Sequence, residues 1–92
     1  MRIIGHVKHP NLKITVFKMD NRLSVKLESG LYEQTYKFRN GEGIDSLEDV
    51  EKVLDENFLQ SVLGQFQQMH QRRMQAVARL NPNEEEEFQQ II

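Results

Sequence analysis

The sequence predicts an α+β fold: a four-stranded antiparallel β-meander, then a short helix, a long amphipathic helix and a short C-terminal helix. Apolar and polar residues alternate with a period of two between residues 12 and 38, as in half-buried antiparallel strands. Apolar residues then recur at helical spacing as far as residue 80. We expect one α+β domain over 1–92, divided into an antiparallel sheet (1–39), a helical layer (45–80) and an acidic C-terminal tail helix (83–92).

The turns of the meander set its register. The first predicted turn places Val16 opposite Val25, and the second places Lys26 opposite Glu33. Opposed residues share a face, so these registers join apolar with apolar residues and opposite charges with each other. A slip of one residue would mix the faces, which favours an even loop length. The predicted two-residue turns are at 20–21 and 29–30.

A further strand precedes the meander and ends at a turn over 9–11. Its register places Gly5 opposite Val16, which predicts a close approach of another element above this glycine. The second face of the sheet also carries apolar residues, and such a patch needs a cover. That patch is expected to comprise Ile4, Phe17 and Met19, with Ile4 opposite Phe17.

Two helices are expected after the sheet. Asp45 and Ser46 supply N-cap oxygens for the first helix. Asp55 or Asn57 caps the second, which extends to about Leu80, where an Asn-Pro pair stops it.

The second helix is predicted to be longer than the sheet beneath it. A helix of that span is about 38 Å long, whereas the strands give a sheet of only about 25 Å. Its second half should therefore overhang the sheet while still carrying apolar residues, which predicts a homodimer. The predicted interface residues are Phe66, Met69, Met74, Val77, Leu80, Phe88 and Ile91.

The tail joins a run of glutamates, 84–87, to apolar residues. The plain interpretation is a tail that packs on its own domain with solvated glutamates. In a more specific interpretation, the tail covers the outer apolar patch or contacts Arg72, Arg73 and Arg79 of a partner.

Composition narrows the class of protein. A formal net charge of −2 gives no overall attraction to nucleic acid or to an anionic membrane. No cysteine is present, which removes disulfide and thiolate chemistry and fits a reducing compartment. No segment has the apolar length of a secretory signal or a transmembrane helix. We expect a cytoplasmic protein without membrane contact.

The residues form no recognisable catalytic or ligand-binding constellation. His6 and His9 begin on opposite faces of a strand and lack the further ligands that zinc needs. The glycines at 41–43 precede a helix, but the acidic residues around them would repel a phosphate. We therefore expect no catalytic residue, no cofactor and no metal, and a protein that is not an enzyme.

One sheet face offers cations and an aromatic ring, the combination with which proteins bind single-stranded nucleic acid. Against this, two of the lysines face glutamates and the tail is acidic. The order of strands and helices over 1–80 is similar to the topology of coactivator and Whirly-type single-strand-binding proteins, which implies that function as an alternative. The candidate residues are Lys8, Lys13, Phe17, Lys26, Lys37 and Arg39.

The segments 13–17 and 30–38 also resemble a small group of bacterial conserved proteins of unknown function. This resemblance implies an α+β fold and assigns no activity. From the residues, we expect a non-enzymatic homodimeric domain that binds another macromolecule, which can be a protein. The alternative is a single-stranded nucleic-acid-binding module.

Overall fold

The computed structural model describes residues 1–39 and 41–81. Four strands form one antiparallel sheet in the order β1-β2-β3-β4, which confirms the predicted fold class. The described part of the chain contains two helices, and the third predicted helix, at 83–92, lies outside it together with Phe88 and Ile91. The elements are β1 (Arg2–Val7), β2 (Lys13–Met19), β3 (Arg22–Ser29), β4 (Tyr32–Phe38), α1 (Leu47–Val53) and α2 (Glu56–Leu80).

The hairpin of β2 and β3 has the predicted register. Val16 lies opposite Val25 and Ile14 opposite Leu27, and all four side chains are almost completely buried. Asp20 opens the turn with a φ of +56°, a left-handed conformation that Asp adopts more readily than most residues. The alternation of the sequence thus identifies the core side of these strands.

The turn between β3 and β4 lies at 30–31 instead of the predicted 29–30. Gly30 takes the first turn position with a φ of +59°, where type II′ turns prefer glycine. This choice moves the register by two residues, so each side chain keeps the predicted face. It also gives Phe38 an apolar partner, Leu23, which the predicted register leaves without one.

Counted back from the turn that follows it, β1 has the predicted register from Val7 to Gly5, and Gly5 lies opposite Val16. A β-bulge comes next, and Phe17 pairs with Ile3 where the prediction had Ile4. The bulge turns Ile4 toward the core, against which it packs. Ile3 therefore replaces Ile4 in the outer apolar patch.

α1 is capped by Ser46, one of the two predicted N-cap residues, which forms a capping box with Asp49. The Ser46 hydroxyl accepts a hydrogen bond from the Asp49 backbone N–H at 3.2 Å. The Asp49 carboxylate accepts from the backbone N–H groups of Asp45 and Ser46. These donors, with that of Asp45 the strongest, hold the pKa of Asp49 below its usual value. The capped helix buries Val50 completely.

Leu47 of α1 packs directly over Gly5 of β1. A Cβ atom at Gly5 would lie 2.8 Å from the Leu47 Cδ2 atom, closer than side chains normally approach. The close approach predicted above Gly5 is therefore confirmed, and α1 is the element responsible.

Gly5→Ile is expected to lower the free energy of unfolding by about 1–3 kcal/mol, because it overpacks the contact with Leu47. Gly5→Ala is the control. Its methyl group displaces only the end of a flexible side chain, and alanine regains about 0.5–1 kcal/mol of backbone entropy. Urea denaturation measures both changes. An isoleucine variant as stable as the wild type would contradict the packing of α1 on β1.

α2 covers the core face of the sheet with its first half. Asp55 caps the helix, because its carboxylate accepts a hydrogen bond from the Phe58 N–H at 2.9 Å. The apolar stripe of α2 is then buried against the strands. The buried core comprises Leu12, Ile14, Val16, Leu23, Val25, Leu27, Val50, Leu54, Leu59, Val62 and Phe66.

α2 runs antiparallel to β4, and its contacts meet that strand in reverse order. The interactions are one edge-on aromatic contact and two hydrogen bonds. In order along the helix they are Phe58 with Tyr36 (5.2 Å between ring centroids), Gln65 with Gln34 (2.7 Å between amide groups) and His70 with Tyr32 (2.9 Å from Nδ1 to the hydroxyl).

The second half of α2 extends past the sheet, as the lengths of the elements predict. The helix is continuous through Gly64. Tyr32, which meets His70, is the first residue of β4, so the helix beyond His70 passes the end of the strand. We name residues 72–80 the overhang. It is about 13 Å of helix and gives the molecule an elongated form of 51 × 24 × 19 Å.

Candidate interaction surfaces

The overhang exposes apolar side chains, because this part of α2 has passed the end of the sheet. Leu80 is 79% exposed and Met74 is 38% exposed. Val77, between them in sequence, is half-buried. Exposed apolar side chains that are grouped on one element are typical of interaction sites.

The overhang is also strongly basic. Arg72, Arg73 and Arg79 are all exposed. No aspartate or glutamate occurs between residues 57 and 80, so the helix supplies no acidic neighbour to these guanidinium groups. A partner for this surface should therefore bring both apolar and acidic groups.

A groove of about 790 Å³ opens where the overhang begins. It lies between α2 and the β1–β2 and β3–β4 turns, which are at the same end of the sheet. We name it the hairpin groove. Leu31, 71% exposed, stands at the tip of the β3–β4 turn. The lining residues are Asn11, Ser29, Gly30, Leu31, Tyr32, Gln60, Leu63, Phe66, Gln67, His70 and Gln71.

The wall of the hairpin groove is built around Tyr32. Its ring lies 6.5 Å from that of Phe66 and meets the ring of His70 edge-on at 5.8 Å. The Tyr32 hydroxyl is hydrogen-bonded to His70 Nδ1 at 2.9 Å. The groove thus presents apolar carbon with a few polar groups, the usual composition of a binding site.

The structure divides the predicted interface residues into two groups. Phe66 is only 5% exposed and belongs to the core, and Met69 packs against that core. Met74, Val77 and Leu80 lie on the overhang, within reach of a partner. The part of the predicted interface that is free for a partner thus begins about two turns later along α2, because the first half of the apolar stripe packs on the sheet.

The face of the sheet turned away from the helices is a second candidate surface, which we name the outer face. Within 1–39 and 41–81, no helix packs on it, since α1 and α2 both lie on the core side. Ile3 and Met19 are more than half exposed there, and Phe17 is half-buried between them.

Lys26 lies near the centre of the outer face, and its charge is compensated. Its Nζ atom lies 3.1 Å from Glu33 and 3.7 Å from Glu28. The hydrogen bond to Glu33, then the charge of Glu28, raises the pKa of Lys26. Glu33 was predicted directly opposite Lys26, but Thr35 occupies that position and Glu33 reaches the lysine diagonally.

The other candidate residues for nucleic acid stand around this ion pair. Lys13 and Lys37 are exposed on the outer face and make no ion pair with the residues that the structure describes. Lys8 and Arg39, also exposed, follow directly after β1 and β4. Arg22, absent from the prediction, joins this face opposite Met19. The two-residue turn at 20–21 already implied its position.

The histidines have local roles. His9 Nδ1 accepts a hydrogen bond from the Asn11 N–H at 3.1 Å and so braces the turn after β1. His6 lies on the outer face opposite Thr15. In the described ranges, no group of three His, Asp or Glu side chains is placed to hold a metal ion.

Neither helix of the described residues is long and apolar enough to cross a membrane. A scan against protein-family models, a search of curated proteins and a search of solved structures each found no match to this chain. The resemblances drawn from the sequence therefore stay predictions.

Proposed function

We propose that this chain is a non-enzymatic interaction domain that forms a homodimer through the overhang. The observation that carries the proposal is the exposure of Leu80 and Met74 on a helix that has already passed its own sheet. Leaving such side chains in water forgoes about 25 cal/mol for each Å² of apolar surface that could be buried.

A second copy fits the overhang because a helix can pack against itself in an antiparallel pair with two-fold symmetry. Pairing about Ala76 sets Leu80 of one protomer beside residue 72 of the other. Ala76, at the crossing point, is small, so the two helices can approach closely. This arrangement buries both apolar stripes in a single contact.

Sedimentation velocity over a range of concentrations tests the dimer. Val77→Lys with Leu80→Lys should raise the dissociation constant at least tenfold, because further positive charge would enter a contact already bordered by Arg72, Arg73 and Arg79 of both protomers. The matched control is Gln68→Lys with Gln75→Lys, which adds the same charge on another side of α2 and should leave the constant within a few-fold of wild type. A wild-type chain that remains monomeric at every concentration would contradict the proposal.

The outer face supports a second candidate function, binding of single-stranded nucleic acid. Lys13 and Lys37 offer charges not engaged in ion pairs among the described residues, and the Phe17 ring lies on the same face. Cations that follow a backbone, together with a ring for stacking, are the features that such sites use.

A gel shift with a single-stranded oligonucleotide tests this second function. Affinity should fall steeply as salt is added, because phosphate binding releases counterions. Lys37→Glu should weaken binding, whereas Lys52→Glu, which changes the net charge equally on α1, should have little effect. Absence of any retardation at low salt would exclude this function.

A further inference from the structure

The overhang and the segment that follows it in the chain are complementary in chemistry. The overhang presents Arg72, Arg73 and Arg79 beside exposed apolar carbon, with no acidic residue nearby in the helix. The chain continues from Asn81 into residues 82–92, which carry four consecutive glutamates and then apolar residues. One short segment therefore carries both the acidic and the apolar groups that would complement this basic, apolar surface.

We propose that residues 83–92 of one protomer bind in the hairpin groove of its partner, with their glutamates against the partner's arginines. The inference rests on the homodimer proposed above, to which it adds a segment that crosses between the two protomers. Phe88 and Ile91 would enter the groove beside Leu31 and Tyr32.

Chain direction favours the partner's groove over the chain's own. In the antiparallel pair, the end of α2 at Leu80 lies beside residue 72 of the partner, and the partner's groove begins with Gln71 and His70. The chain's own groove lies at the other end of the overhang, about 13 Å back along the helix. Residues 82–92 reach about 36 Å when extended, more than enough to follow the partner's groove.

Charge balance points to the same arrangement. Pairing about Ala76 brings Arg73 of one protomer toward Arg79 of the other, and like charges at an interface oppose association. Residues 57–80 hold no carboxylate that could offset them. The glutamates 84–87 of each protomer would neutralise this cluster.

Engineered cysteines provide a direct test, because the full chain contains no cysteine of its own. Leu31→Cys is made in one copy and Ile91→Cys in a second copy of different mass, and the two are mixed and oxidised. A disulfide between the two copies should form in at least several-fold higher yield than in the control pair. That control joins Ile91→Cys with Glu48→Cys, which is exposed on α1 over β1, at the other edge of the sheet.

Charge reversal makes the test specific. Arg72→Glu with Arg73→Glu in the copy that carries Leu31→Cys should reduce the yield several-fold. Adding Glu84→Arg with Glu85→Arg to the other copy should restore it. Yields that do not respond to either pair would overturn the role of the glutamates.

Sedimentation of the same cysteine variants under reducing conditions separates the two proposals. A dimer that gives no more mixed disulfide than the control pair overturns the tail-binding inference and leaves the homodimer standing. A monomer overturns the homodimer, and the inference with it. A chain carrying both Leu31→Cys and Ile91→Cys that closes a disulfide within itself at high yield would place the tail in its own groove, which also overturns the inference.

Discussion

Phe66→Ala is expected to lower the free energy of unfolding by about 3–5 kcal/mol, the cost of replacing a buried phenylalanine and leaving a cavity. Phe66 is 5% exposed, and its ring faces that of Tyr32 at the point where α2 leaves the sheet. Domains of this size are stable by about 5–15 kcal/mol, so the loss is a large share of the total. Chemical denaturation followed by circular dichroism measures it.

Phe66→Leu is the matched control for this core position. Leucine keeps most of the apolar volume, and hydrophobic exchanges of similar size usually cost less than about 1.5 kcal/mol. A loss below 1 kcal/mol for Phe66→Ala would mean that α2 does not depend on this contact, contrary to the burial of its side chain.

Gly64→Pro is expected to destabilise the fold by about 3 kcal/mol or more, because proline removes a helical hydrogen bond and clashes with the preceding turn. Gly64 lies in the middle of a continuous helix, two residues before Phe66. A kink there would move both the core contact and the overhang. Denaturation measures the first effect, and sedimentation should show weaker self-association.

Gly64→Ala is the control at the same position and should act in the opposite direction. A Cβ atom at Gly64 meets no atom within 4 Å, so alanine adds helix propensity without a clash. The expected gain is up to about 1 kcal/mol. If alanine destabilised the protein, or if proline were tolerated, α2 would not be continuous in solution.

The sheet was largely predictable because alternation reports directly on which face a side chain occupies. The core positions of β2 and β3 follow from parity, that is, from whether a residue stands at an odd or an even position along its strand. A register moved by two residues leaves this parity unchanged. For the same reason, parity could not distinguish a turn at 29–30 from one at 30–31. The bulge that places Ile3, and not Ile4, opposite Phe17 could not be predicted either, because both residues are isoleucine and either can pair with Phe17.

The candidate surfaces were predictable to a different extent. The overhang follows from counting residues, since the rise of a helix and the length of a strand are fixed. The hairpin groove was missed, because it depends on the path of α2 across the sheet and on the exposed position of Leu31. The contact of Tyr32 with His70 joins residues far apart in the chain and leaves no local pattern in either segment.

The meander has a consequence for how the chain folds. Every strand pairs only with strands adjacent to it in sequence, so each pairing closes a short loop and costs little chain entropy. Topologies rich in local contacts fold quickly. The hairpins can therefore form before the helices pack on them, while their apolar face is still exposed to water. Until α2 covers that face, this partly folded sheet is the species most prone to aggregate.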